Sequence, residues 1–190
     1  GSATTFESVW GGAQNDTLIG NASANSLLGF GGNDTLTGLA GNDSLDGGDG
    51  NDNYIFSTNS ALGTDTLSDS SGTDLLDFST STTLAVSINL SSATSQVVNT
   101  GLSLILGSAT AFENVYATGM ADIITGNSAN NYLRGGAGND SYRFNANAAQ
   151  GTDTIDEAGG GVDTIDFTTT TTASVAVDLS TGDAQTVNSN

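Results

Sequence analysis

An all-β solenoid is the fold class the sequence predicts, on three observations. From Gly11 the chain advances in nine-residue units without a break. Each unit places one apolar residue at its eighth position between polar neighbours. The intervening turn is rich in Gly, Asn and Asp. A short apolar strand after a six-residue turn cannot bury its own apolar face, whereas stacked copies can.

Taken in order, the units are GGAQNDTLI from Gly11, GNASANSLL from Gly20, GFGGNDTLT from Gly29, GLAGNDSLD from Gly38 and GGDGNDNYI from Gly47. Position one is Gly throughout, position six is Asp or Asn, and position eight is Leu or Tyr. The alternation of polar and apolar residues around position eight is the period of a half-buried strand. Leu18, Leu27, Leu36, Leu45 and Tyr54 are therefore expected to point inward. Glycines at positions one, two and four permit the positive φ that tight turns need. The pattern returns as ATGMADIIT from Ala117, GNSANNYLR from Gly126 and GGAGNDSYR from Gly135, which adds Ile124, Leu133 and Tyr142 to the inward set.

A larger period lies above this one. FESVW at Phe6 is matched by FENVY at Phe112, GTDTLSDSSGTDLLDF at Gly63 by GTDTIDEAGGGVDTIDF at Gly151, and VSINL at Val86 by VAVDL at Val175. Two modules are expected. The first spans 3–107, with nonapeptides over 11–55 and a β-rich extension over 56–107. The second spans 108–190, with nonapeptides over 117–143 and an extension over 144–190 that stops part-way through its module. A longer tandem array is the expected setting. The threonine run Thr168–Thr172 reads as a linker or an exposed strand.

Composition bounds the function. Of 190 residues, 21 are acidic and two, Arg134 and Arg143, are basic, for a formal net charge of −19. Nucleic acid wants a basic face, and anionic membranes repel an acidic one, so neither partner fits. No apolar run is long enough to span a bilayer. With no Cys, disulfides and thiolate metal sites are excluded. The absence of His, Lys and Cys leaves little for acid–base or nucleophilic chemistry, and periodicity already accounts for the carboxylates, so no enzyme is expected. Cations are the partners this charge favours.

If two nonapeptides complete one coil, turns on one side are eighteen residues apart. Asp16, Asp34 and Asp52 then stack on one side, and Glu7, Asn25 and Asp43 on the other; Asp122 stacks with Asp140, and Glu113 with Asn131. Coils lie roughly 4.8 Å apart, where carboxylates repel unless a cation sits between them.

The in-register GGxGND units, clearest at Gly47–Asp52 and Gly135–Asp140, resemble the RTX, or hemolysin-type, calcium-binding nonapeptide repeat, G-G-x-G-x-D-x-U-x. The resemblance implies a right-handed parallel β-roll with several Ca2+ ions between same-side turns. It implies that each ion takes carbonyls two and four and the sixth-position carboxylate of one turn, with carbonyls one and three and the carboxylate of the next. The implied sites are Gly12, Gln14 and Asp16 with Gly29, Gly31 and Asp34; Phe30, Gly32 and Asp34 with Gly47, Asp49 and Asp52; and Thr118, Met120 and Asp122 with Gly135, Ala137 and Asp140. Six oxygens suit calcium. Opposite, Asn21, Ser23 and Asn25 would face Gly38, Ala40 and Asp43, and the neutral Asn25 makes that site weaker or empty. Asn131, beside Glu113 and with no acidic residue expected to follow it, promises no strong site.

Asp65, Asp69, Asp74 and Asp77 recur as Asp153, Glu157, Asp163 and Asp166, and read first as solvated turn and cap carboxylates, with further calcium sites as the alternative. The function these features predict is a calcium-dependent structural module, a stalk or spacer of a secreted bacterial adhesin or matrix-type protein. Type I secretion is what the family implies, with neighbouring modules as further contacts. The alternative is a polysaccharide-targeting module using Trp10, Tyr54, Tyr116, Tyr132 and Tyr142. An ice-binding face would want uniform outward rows, and positions seven and nine are mixed.

Overall fold

The computed structural model describes residues 6–177 and residue 179. Among them every element is a strand, most of three residues, and no helix is long and apolar enough to cross a membrane. Three sheets wrap one core.

The first sheet stacks β1 (Ser8–Gly12), β3 (Ser26–Gly31), β5 (Ser44–Asp49) and β7 (Gly63–Ser68) in parallel. Across the core, the second sheet stacks β2 (Thr17–Ile19), β4 (Thr35–Thr37), β6 (Asn53–Ile55) and β8 (Leu75–Asp77). The chain alternates between them, so each pair of nonapeptides is one coil. Register is set by the eighth position: Val9 pairs with Leu27, Leu27 with Leu45, and Leu45 with Leu67 in the first sheet. Leu18, Leu36, Tyr54 and Leu76 pair likewise in the second. A one-residue slip would turn every one of these side chains to water. The predicted inward residues Leu18, Leu27, Leu36, Leu45, Tyr54, Ile124, Leu133 and Tyr142 all lie in one buried cluster.

The coil is rebuilt after β8. β9 (Ser87–Asn89) opens a third sheet, and the antiparallel pair β10 (Gln96–Asn99) and β11 (Leu102–Ile105) closes the first, β11 lying parallel on β7. β12 (Asn114–Tyr116) then returns to the second sheet beside β8, with Val115 on Leu76. β14 (Tyr132–Arg134) and β16 (Thr154–Asp156) extend that sheet, while β13 (Ile123–Thr125), β15 (Ser141–Arg143) and β17 (Thr164–Asp166) extend the third. The second sheet thus runs through seven strands and joins the two sequence copies in one stack.

Two details depart from expectation. Thr168–Thr172 is neither linker nor strand. It folds over Asn147, whose Oδ1 accepts N–H bonds from Thr171, Thr172 and Ala173 at 3.2, 2.8 and 3.1 Å. In the first copy Asn59 Oδ1 likewise accepts the Thr82 N–H and the Thr83 hydroxyl. The stretch around VAVDL lies at the edge of the described residues, and residues 180–190 of the second extension lie outside them.

Candidate metal centre

The sixth-position side chains form ladders along the stack. On the second-sheet side the Asp16 N–H donates to Asp34 Oδ1, Asp34 N–H to Asp52 Oδ1, and Asp52 N–H to Asp74 Oδ1, at 2.7, 2.6 and 2.8 Å. Asp74 N–H continues to Glu113 Oε2 at 2.9 Å. On the first-sheet side Asn25 donates to Asp43 and Asp43 to Asp65, at 2.8 and 2.9 Å. In the third sheet Val86, Asp122 and Asp140 donate to Asp122, Asp140 and Asp163. The predicted stacking is present, and the ladders extend it. Asp65 and Asp74, expected as solvated, are each 1% exposed and occupy sixth positions after coils of 22 residues instead of 18. Asn131, expected to have no acidic residue after it, donates its N–H to Asp153 Oδ1 at 2.9 Å.

A second ladder was not anticipated from sequence. The fifth-position Asn of each GND accepts from the coil above: Asn33 N–H on Asn15 Oδ1, Asn51 on Asn33 and Thr73 on Asn51, at 2.8, 2.9 and 3.0 Å. Asn42, Asn130 and Asn139 receive Thr64, Thr152 and Val162 likewise. Where Asn stands at five and Asp at six, the turn is tied in both directions along the stack.

The turns fall into two classes. In the turns that begin at Gly11, Gly20, Ala117 and Gly126, the second-position N–H donates to the sixth-position side chain of its own turn. These bonds are Gly12 to Asp16, Asn21 to Asn25, Thr118 to Asp122 and Asn127 to Asn131, at 2.6, 2.7, 2.7 and 2.9 Å. These turns are closed. In the turns that begin at Gly29, Gly38, Gly47 and Gly135, the second position is left-handed: Phe30, Leu39, Gly48 and Gly136 have φ of 76, 70, 100 and 93°. Their fourth positions, Gly32, Gly41, Gly50 and Gly138, also have positive φ. That rotation withdraws the amide, and Asp34, Asp43, Asp52 and Asp140 each keep a buried Oδ2 with no hydrogen-bond partner. Phe30 and Leu39 hold a conformation that costs an L-residue about 1–2 kcal/mol, so the open turn is imposed by the stack. A sequence signal exists for the division: the fourth position is Gly in open turns and Gln14, Ser23, Met120 or Ala129 in closed ones.

The orphaned oxygens face a cradle. A Cβ added at Gly29 would collide with Asp34 Oδ2 and the Gly47 carbonyl; one added at Gly47 would collide with Asp52 Oδ2. At Gly29 carboxylate and carbonyl oxygens converge with no donor, while at Gly47 the Tyr54 hydroxyl also lies beside Asp52; buried acceptors left without a donor are costly. Of the implied carbonyl ligands, that of Asp49 already accepts the Gly32 N–H at 2.9 Å. Both oxygens of Asp122 are engaged, Oδ1 by the Val86 N–H and Oδ2 by the Thr118 N–H, with the Thr118 hydroxyl bonded to both.

No positive charge offsets these carboxylates. Arg134 and Arg143 pair outside with Asp156 at 3.8 Å and Asp166 at 3.4 Å. Burial pushes Asp43, Asp52 and Asp140 above the usual carboxylate range. It lifts Asp65 to about 7, and Asp74, Asp122 and Asp153 to about 6. A buried acidic column either takes up protons or takes up cations. Donor-free carboxylates beside backbone carbonyls are a hard-cation set, and they fit calcium.

Stacked coils with acidic, donor-free turns define a cation-binding solenoid. The family model described as RTX calcium-binding nonapeptide repeat (4 copies) matches residues 6–29, 28–57 and 116–155, and over those stretches the chain belongs to that family. No curated protein matches the chain. Asp34, Asp43, Asp52 and Asp140 are the residues whose free oxygens would hold Ca2+, which would supply the counter-charge the column lacks.

Proposed function

We propose that this calcium-binding structural module is a non-catalytic spacer of a secreted bacterial protein of adhesin or matrix type, exported by a type I route and folded by the calcium it meets outside. The supporting observation is the set of buried carboxylate oxygens without donors at the four open turns. In a calcium-poor cytosol the columns repel and the glycine-rich chain stays unfolded, as such a route requires. Outside, binding free energy becomes folding free energy. The continuous second sheet suits a spacer, because each coil adds length along one axis.

Small-angle scattering in chelator and in calcium tests this reading. The radius of gyration is expected to fall from about 47 Å, that of an unfolded chain of this length, towards about 16 Å, that of a compact one. Equal values in the two conditions would overturn it. One observation favours a second reading, attachment to polysaccharide: Trp10 is 70% exposed, with Phe30 edge-on at 6.4 Å. Glycan binding that Trp10→Ala abolishes would support it.

A further inference from the structure

We propose that Asp69 and Glu157, which lie outside every nonapeptide, each complete a three-carboxylate calcium site where the regular coil ends. One site is Asp52, Asp69 and Asp74; the other is Asp140, Glu157 and Asp163. In both, one carboxylate oxygen from each residue lies within 4.8 Å of the other two. The second cluster repeats the first: Asp52 and Asp140 are 88 residues apart, as are Asp69 and Glu157.

Proximity is not the whole of the case. Asp52 and Asp140 are 2% and 1% exposed, and each presents an Oδ2 that no donor reaches. Asp69 Oδ1 and both oxygens of Glu157 are likewise buried without a partner. Asp69 is aimed from behind. The Tyr54 hydroxyl accepts the Gly47 N–H at 2.7 Å and lies 2.8 Å from Asp69 Oδ2 and 2.6 Å from the Ser68 carbonyl, which leaves Oδ1 toward the cluster. Tyr142 takes the same repeat position in the second copy, paired with Ile124 across the third sheet, but its buried hydroxyl has no hydrogen-bond partner. Asp69 takes position one of the turn that ends in Asp74, where the nonapeptides from Gly11 to Gly47 have Gly. A side-chain carboxylate thus stands where the repeats offer only a backbone carbonyl. A third negative charge strengthens a calcium site, and it does so where the coil lengthens from 18 to 22 residues.

Equilibrium dialysis against buffered free calcium, with bound ions counted by atomic emission, tests the assignment on the full chain. Asp69→Asn and Glu157→Gln are each expected to lose one tightly held ion, and the double variant two, with strand content at saturating calcium retained. Unchanged counts would overturn the proposal. Should the variants fail to fold, anomalous scattering from calcium-grown crystals of the unmodified chain decides: an ion among Asp52, Asp69 and Asp74 supports it, and none at saturating calcium defeats it. The result is separable from the proposed function. A chain that folds without calcium yet loses one ion per substitution keeps these sites and sinks calcium-driven folding; a calcium-folded chain with unchanged counts does the reverse.

Discussion

Asp34 and Asp16 occupy the same repeat position and differ at Oδ2. The Gly12 N–H satisfies Asp16 Oδ2, while Asp34 Oδ2 has no partner. Asp34→Asn is therefore expected to raise the calcium midpoint by on the order of tenfold or more, since even outer-shell changes cost 10–100-fold. Asp16→Asn is expected to shift it far less, because Asn25 and Asn131 already close their turns with an amide. Isothermal titration of the two variants checks this, and equal shifts would contradict the division into open and closed turns. The buried carboxyls also fix a pH dependence. Burial raises Asp65 to about 7 and Asp153 to about 6 in the folded chain, above the ordinary value of 3.8. A raised acid stabilises the fold fully below its unfolded pKa, and that stability is lost as pH rises through the folded value. Without calcium, the chain should gain order on acidification from about pH 8 towards pH 4; with calcium, which binds the ionised form, affinity should rise with pH. Thermal melts with chelator between these limits measure the first sign. A calcium-free chain that loses order on mild acidification would refute it.

Each strand contributes little more than one buried side chain, so stability lies in columns. Leu76 sits between Tyr54 and Val115, where the second sheet passes from one sequence copy to the other. It is fully buried, and Leu76→Ala should cost about 2–5 kcal/mol. Because the β8–β12 pairing is the step at which the second sheet crosses from one sequence copy to the other, denaturant unfolding of this variant should lose cooperativity between the copies. A single transition shifted by less than 1 kcal/mol would speak against a shared core. The elements were also the most legible part of the sequence. A nine-residue step with one apolar residue at its eighth place specifies strand, face and register together, and β2 to β6 and β13 to β15 follow it. Legibility failed where the step failed. Asp65, Asp74, Asp153 and Asp163 continue the ladders, but insertions lengthen their coils to 22 or 23 residues and hide the alignment. The switch from first to third sheet passes through the β10–β11 hairpin, a local pair that does not follow the nine-residue step. At the site, the sixth-position carboxylates were legible. The open turns were encoded by a fourth-position Gly, and that signal shows its meaning only once φ at Gly32, Gly41, Gly50 and Gly138 is known.

At the scale of the whole molecule, a net charge of −19 is gathered into columns along a single stack. Hydrophobic columns hold the coils together from inside, and the carboxylate ladders oppose them at the turns. On the proposed function, that balance is set from outside, by calcium bound at the open turns. Magnesium should be a poor substitute, because it keeps its waters and demands a tight octahedron, while calcium accepts six to eight oxygens of mixed origin. The most direct measurement is a calcium titration of the chelated chain followed by far-ultraviolet circular dichroism, with magnesium in parallel. A cooperative gain of strand signal with calcium, absent with magnesium, is the predicted result. The same strand signal in chelator as in calcium would contradict the account, since the columns would then be tolerated without a counter-ion.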